Sequence, residues 1–201
     1  MDLTGISDGF RTISYDGKTD PQIVREALLH HSLPFDSSMV AALFDRYLEY
    51  LPPEMAVSPA QLKPGVPHIL DLAQSKDALF LGVLTGNVES GARIKLARFD
   101  LNRYFEVGAF GSDHEDRNVL LPVAVERLCN ARGVSVQYEH CVVVGDTPLD
   151  VQCAHAYGAR CVAAATGRYS LRELERAAAD LVVEDLSDAD RIVEWIATLP
   201  D

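Results

Sequence analysis

The sequence predicts an α/β protein: a Rossmann-like parallel sheet with helices on both faces, joined to a helical segment at the N-terminus. Three observations predict it. Short apolar runs recur at 78–84, 107–110, 141–144, 159–164 and 181–183, with stretches of helical character between them. Apart from Arg160, these runs are apolar rather than alternating, the pattern of strands covered on both faces. The first 60 residues read instead as helical, with apolar residues at helical spacing.

In chain order, Asp20-Pro21 reads as a helix start. The aspartate is the capping side chain, and the proline follows where its missing N–H costs nothing. Ile23, Val24, Ala27 and Leu28 then share one face. A second helix is expected over 38–50, with Val40, Leu43, Phe44, Tyr47 and Leu48 as its stripe, and Pro52-Pro53 should end it. The proline-rich stretch 58–67 reads as a connector. Two units follow: a partial helical domain over 1–60 and an α/β domain over 61–201. Within the second, helices are expected near 90–99, 118–131, 149–157, 170–178 and 188–199.

Composition bounds the function. A chain of 201 residues, 48% apolar with mean hydropathy +0.02, suits one sizeable soluble domain or a domain with a small insert. Thirty acidic against eighteen basic side chains give a net charge of −12, which argues against nucleic acid or an anionic membrane as partner. Any bound phosphate must therefore be held by a local site. No apolar run approaches the roughly 20 residues of a membrane span, and no basic-then-apolar leader is present, so a cytoplasmic location is expected. Cys129, Cys141, Cys153 and Cys161 form no CxxC pair and read as small hydrophobes.

Three segments carry chemistry at the predicted carboxyl ends of strands, the edge where open α/β sheets hold ligands. The first is Thr85-Gly86-Asn87, whose hydroxyl, close-approach glycine and amide suit a phosphate cradle, although Thr85 or Asn87 could equally cap a helix. The second is the charged loop 112–117, where Arg117 can offer a cation to a phosphoryl group. Lys95 on the preceding helix is the alternative, and His114 reads as an exposed loop histidine. The third is Gly145-Asp146-Thr147-Pro148-Leu149-Asp150. A plain strand-to-helix turn accounts for Asp146 or Thr147 but leaves Asp150 without a task. Two carboxylates here suit Mg²⁺, which takes one or two and leaves its other positions to water and phosphate.

Taken in this order, the three segments resemble the haloacid dehalogenase-like (HAD-like) hydrolase superfamily, in its phosphoglycolate phosphatase-like branch. The resemblance covers nearly the whole chain, and its most specific part is the GDxxxD pattern at 145–150. It implies that Thr85 binds the transferring phosphoryl group, that Gly86 and Asn87 complete that cradle, and that Asp146 and Asp150 are the acidic residues at Mg²⁺. Arg117 stands where the family has a lysine. The helical N-terminal unit then looks like most of a cap domain, and Gly17-Lys18-Thr19-Asp20 resembles the loop by which such caps touch substrate, with Lys18 as the contact. The implied substrate is a small phosphorylated metabolite, and the implied chemistry is hydrolysis through an aspartyl-phosphate.

The family's first motif, DxDxT, does not occur in the sequence, and Asp2-Leu3-Thr4-Gly5 is not a match for it. The resemblance therefore implies a chain that begins inside the cap, lacks the first strand of the core and shows no phosphatase turnover as written. The alternative is a non-catalytic relative that binds phosphate or protein. Oligomeric state is left open.

Overall fold

The computed structural model describes residues 6, 9–11 and 13–198, so Asp2-Leu3-Thr4-Gly5 and the expected end of the last helix at Leu199 lie outside the described residues. The elements in order are α1 (Asp20–His30), α2 (Ser37–Val57), α3 (Val66–Gln74), β1 (Gly82–Thr85), α4 (Glu89–Ala97), β2 (Val107–Phe110), α5 (Leu120–Arg132), β3 (Val142–Gly145), α6 (Pro148–His155), β4 (Arg160–Ala164), α7 (Leu171–Arg176), β5 (Leu181–Val183) and α8 (Ala189–Ala197). Strands and helices alternate from β1 onward as the apolar runs predict. β1 is shorter than its run, because 78–81 precede the ladder as turn and coil.

The helical unit departs from expectation in two places. Thr19, not Asp20, caps α1: its hydroxyl accepts from the Gln22 N–H at 3.2 Å, which places Asp20 and Pro21 inside the first turn. Thr19 is fully buried and also donates to the Glu115 carbonyl at 2.6 Å. The Asp20 carboxylate is thereby released from its own helix. The second difference is that α2 runs through Pro52 and Pro53 to Val57. Each ring removes a hydrogen bond to a carbonyl four residues back, yet both prolines are solvent-exposed and their fixed φ is compatible with a helix. An unanticipated helix, α3, starts at the end of the connector, with Pro67 as its second residue.

Among the described residues all strand pairs are parallel, but they form two sheets rather than one. β1 pairs with β2 from Gly82↔Val107 to Thr85↔Phe110. The other sheet has the order β3-β4-β5, with Val142↔Arg160 to Gly145↔Ala163 and Val162↔Leu181 to Ala164↔Val183. Among the described residues, β1 and β3 thus each keep one edge without a ladder partner.

Burial explains why the strand runs are uninterrupted. On β4, Cys161 and Ala163 face a cluster with Leu121, Val143, Val151, Cys153 and Leu174. Val162 and Ala164 face the opposite cluster with Ile69, Ala189, Ile192 and Val193. Helices α5, α6 and α7 supply one layer and α3 and α8 the other, so both parities of the strand must be apolar. Burial pushes the thiols of Cys141 and Cys153 up to about 11 and that of Cys161 to about 12. They remain neutral packing groups at physiological pH.

Candidate functional site

The site is assembled at the carboxyl ends of β1 and β3, on separate sheets. β1 ends at Thr85, whose hydroxyl accepts from the Asn87 N–H at 3.2 Å and so shapes the turn into α4. β2 ends at Phe110, and the Gly111 N–H donates to the Asn87 carbonyl at 2.8 Å. This fixes the loop that carries Arg117 beside the Thr85 turn. In that loop His114 is exposed and its Nδ1 accepts from the Asp116 N–H at 2.9 Å, which is a turn contact.

Asp113 in the same loop is structural. Both its oxygens accept from the Arg127 guanidinium at 2.7 Å, and Oδ2 also accepts from the Phe110 N–H at 2.9 Å. Burial pushes this carboxyl up, but those hydrogen bonds outweigh it and hold the group below its ordinary value of 3.8. A depressed folded value contributes stability above the ordinary pKa, and that contribution is lost as pH falls through the lower, folded value. Asp113→Asn is therefore expected to cost about 1 kcal/mol at pH 7, since Arg127 is partly solvated. Its stability should also vary less than wild type below pH 4. Urea unfolding across pH 3–7 checks both, and an unchanged acid limb would reject the assignment.

β3 delivers Asp146 and Asp150 to different environments. The turn is a capping box: the Thr147 hydroxyl serves the Asp150 N–H, and the Asp150 carboxylate serves the Thr147 N–H in return. Asp150 Oδ2 accepts from Asp146 N at 3.1 Å, Thr147 N at 3.0 Å and Thr147 Oγ1 at 2.8 Å, while Oδ1 accepts from Arg117 at 2.5 Å. The strand-to-helix turn thus gives Asp150 a full task, contrary to the expectation that it would have none. The signal was legible as T-x-x-D at 147–150.

Asp146 is only partly buried, and its carboxylate lies against Gly167, where a methyl group would collide with Oδ2. Burial pushes its pKa up, the Asp150 charge adds to this, and Lys63 and Arg117 partly offset both. Lys63 escaped the sequence reading because it lies in the connector. It reaches the site by donating to the Thr166 carbonyl at 2.6 Å, a contact across 103 residues.

The two halves are joined by residues 16–20. Gly17 has φ +73°, and a methyl there would lie 2.6 Å from Thr147 Oγ1 and 3.0 Å from Leu149 Cβ. Its carbonyl accepts from Arg117 at 3.2 Å. On the other side, a methyl at Gly86 would collide with the Lys18 carbonyl oxygen, and the Asp20 N–H donates to the Gly86 carbonyl at 2.7 Å. Asp16 holds Arg168 at 2.8 Å, beyond the Asp146 loop.

The candidate cations are placed differently from one another. Arg117 is committed to Asp150 and the Gly17 carbonyl, and its Nε is buried without a hydrogen-bond partner among the described residues. Lys95 on α4 donates to Asn87 Oδ1 at 2.9 Å and lies 5.7 Å from the Tyr47 ring centroid. Lys18 pairs with Glu26 of α1 at 2.5 Å. Thr85, Gly86, Asn87 and Lys95 thus form one group and Asp146, Asp150 and Arg117 a second. Lys18 belongs to the segment between them. No group of three or more potential metal-ligating side chains occurs among the described residues, and no helix there is long and apolar enough to cross a membrane.

The fold is similar to that of known proteins. Residues 118–189 match a family model described as HAD-hydrolase-like. No curated protein matches the chain in sequence. Among solved structures, the chain is similar to CbbY from Rhodobacter sphaeroides in complex with phosphate, at 20% identity and a TM-score of 0.69, over 85% of this chain and 75% of that one. It is also similar to a predicted phosphoglycolate phosphatase from Haemophilus somnus, at 18% identity and a TM-score of 0.65, over 89% and 79%. A hydrolase from Pseudomonas syringae gives 22% identity and a TM-score of 0.66, over 90% and 80%.

Proposed function

From a chain with the HAD-like hydrolase fold, we propose a Mg²⁺-dependent site for small phosphate monoesters at the joined carboxyl ends of β1 and β3. The observation that carries this reading is the 16–20 segment, which ties the Thr85 turn to the Asp146 turn although they belong to different sheets. Thr85 and Asn87 would receive the phosphoryl oxygens, with Lys95 as the cation. Arg117 is the weaker choice because its charge is already spent on Asp150.

The donor set fits Mg²⁺ modestly. Asp146 is a hard oxygen ligand in a partly buried position where burial and the Asp150 charge both disfavour a bare carboxylate. A divalent cation relieves that cost, and Mg²⁺ is commonly bound by one or two carboxylates plus water and phosphate. Asp150 would act by holding the turn and Arg117 rather than by touching metal. When bound, the ion supplies positive charge to the phosphoryl oxygens.

A second reading is a phosphate-binding relative without turnover, for which the gathered Thr85, Asn87, Lys95 and Asp146 would supply a cradle, a cation and a metal ligand. Calorimetric titration with Mg²⁺ and inorganic phosphate, alongside phosphate release from p-nitrophenyl phosphate, separates the two. We expect Mg²⁺ binding that weakens at least about tenfold in Asp146→Asn. Binding without phosphate release selects the second reading, and release that disappears in Asp146→Asn selects hydrolysis. Failure to bind either ion rejects both.

A further inference from the structure

We propose that Asp20 is a positioning residue: it orients the Asn87 amide, and through it the Lys95 ammonium, so that the seating of helix α1 sets the cation of the phosphate cradle. The functional consequence rests on the reading given above, but the hydrogen-bonded relay does not.

The carboxylate is available because Thr19 has taken the capping role in α1. Asp20 Oδ1 accepts from Asn87 Nδ2 at 3.1 Å, and Oδ2 accepts from the Val88 N–H at 2.8 Å. These contacts cross 67 and 68 residues of chain. They meet a real deficit, since the N-cap of α4 is Val88, which has no side-chain acceptor for the helix's unpaired N–H groups. A carboxylate brought from α1 places negative charge at that end, where the helix dipole favours it.

The chemistry of the groups fixes the direction of the relay. An ionised carboxylate only accepts and an ammonium only donates. The Asn87 amide between them must therefore turn its NH₂ to Asp20 and its oxygen to Lys95, and it cannot be reversed without breaking both bonds. Lys95 is gripped a second time by the face of Tyr47 on α2, at 5.7 Å from the ring centroid. The cation is thus located by one contact from each of the first two helices, one relayed and one direct. Neither Asp20 nor Lys95 adjoins Asp146 in sequence, so the device is separable from the proposed metal position.

Nuclear magnetic resonance of the Asn87 side-chain amide tests the relay, and calorimetry with inorganic phosphate in the presence of Mg²⁺ tests its consequence. In the wild-type chain the Asn87 NH₂ should be protected from solvent exchange. In Asp20→Ala, which removes both acceptor oxygens, that protection should fall to the level of an exposed asparagine, and phosphate affinity should drop about tenfold. Lys95→Gln should lower affinity comparably. The double variant should be no worse than Lys95→Gln alone, because Asp20 acts through Lys95. Additive losses, or an unmoved Asn87 amide in Asp20→Ala, would overturn the proposal. If Asp20→Ala does not fold, Asp20→Leu fills the place of the carboxylate with a group that accepts no hydrogen bond. Asn87 protection equal to wild type in that variant would likewise count against the relay. If the wild-type chain binds no phosphate, the functional reading fails, and the relay is then decided by the Asn87 amide alone.

Discussion

Asp150→Ala is expected to destabilise the chain by about 3–5 kcal/mol, because it strands the Arg117 guanidinium. That side chain is 14% exposed and its partner 5%, so little water is available to replace the lost carboxylate. The same substitution removes the acceptor for two backbone N–H groups and the Thr147 hydroxyl, and opens the capping box at the start of α6. Asp146→Ala, four residues earlier, should change stability by less than about 0.5 kcal/mol, since its partly exposed carboxylate is not favoured by its surroundings. Urea unfolding of the two variants measures the contrast. Equal losses would show that the two aspartates share one role, against the division between Asp150, which holds the turn, and Asp146, which does not.

Gly86→Ala is expected to cost about 2–3 kcal/mol, near the upper end for overpacking. The added methyl would collide with the Lys18 carbonyl group and the Thr19 Cα, which are backbone atoms and cannot rotate away. Relief requires moving the 16–20 segment, so the hydrogen bond from Asp20 N–H to the Gly86 carbonyl should weaken as well. Gly82→Ala on the same strand is the control. There a methyl meets Val107 at an ordinary 3.6 Å, and the cost should stay below about 1 kcal/mol. Urea unfolding gives the energies, and amide exchange at Asp20 reports the segment. An Asp20 amide as protected as in wild type would show that the segment does not rest on Gly86.

The strands were legible because burial on both faces leaves an uninterrupted apolar run, and β2 and β5 fall where 107–110 and 181–183 place them. Local chemistry was less decisive where two residues compete for one task. Thr19 and Asp20 are both good caps, and only the contact of Thr19 with Glu115 and of Asp20 with Asn87 and Val88 separates them. Pro52-Pro53 misled for a related reason. Proline removes a donor, but in an exposed turn water can serve the freed carbonyls, and α2 continues. The Asp150 capping box, by contrast, is present in the letters as T-x-x-D at 147–150, where a second aspartate after Gly-Asp equally suits a metal.

What the amino-acid sequence determined by itself is local: the apolar runs, the Thr85-Gly86-Asn87 and Gly145-Asp146 turns, and the likeness to HAD-like hydrolases that those turns carry. These depend on neighbours within a few residues, through periodicity and turn chemistry. Tertiary structure alone decided that the parallel strands divide into two sheets, that residues 16–20 bridge them, and that Lys63 and Asp20 reach the site from 103 and 67 residues away. It also decided that Arg117 is neutralised by Asp150 while Lys95 is held through Asn87. Pairing a charge with one partner rather than another is a choice among distant groups, and only folding brings those groups together.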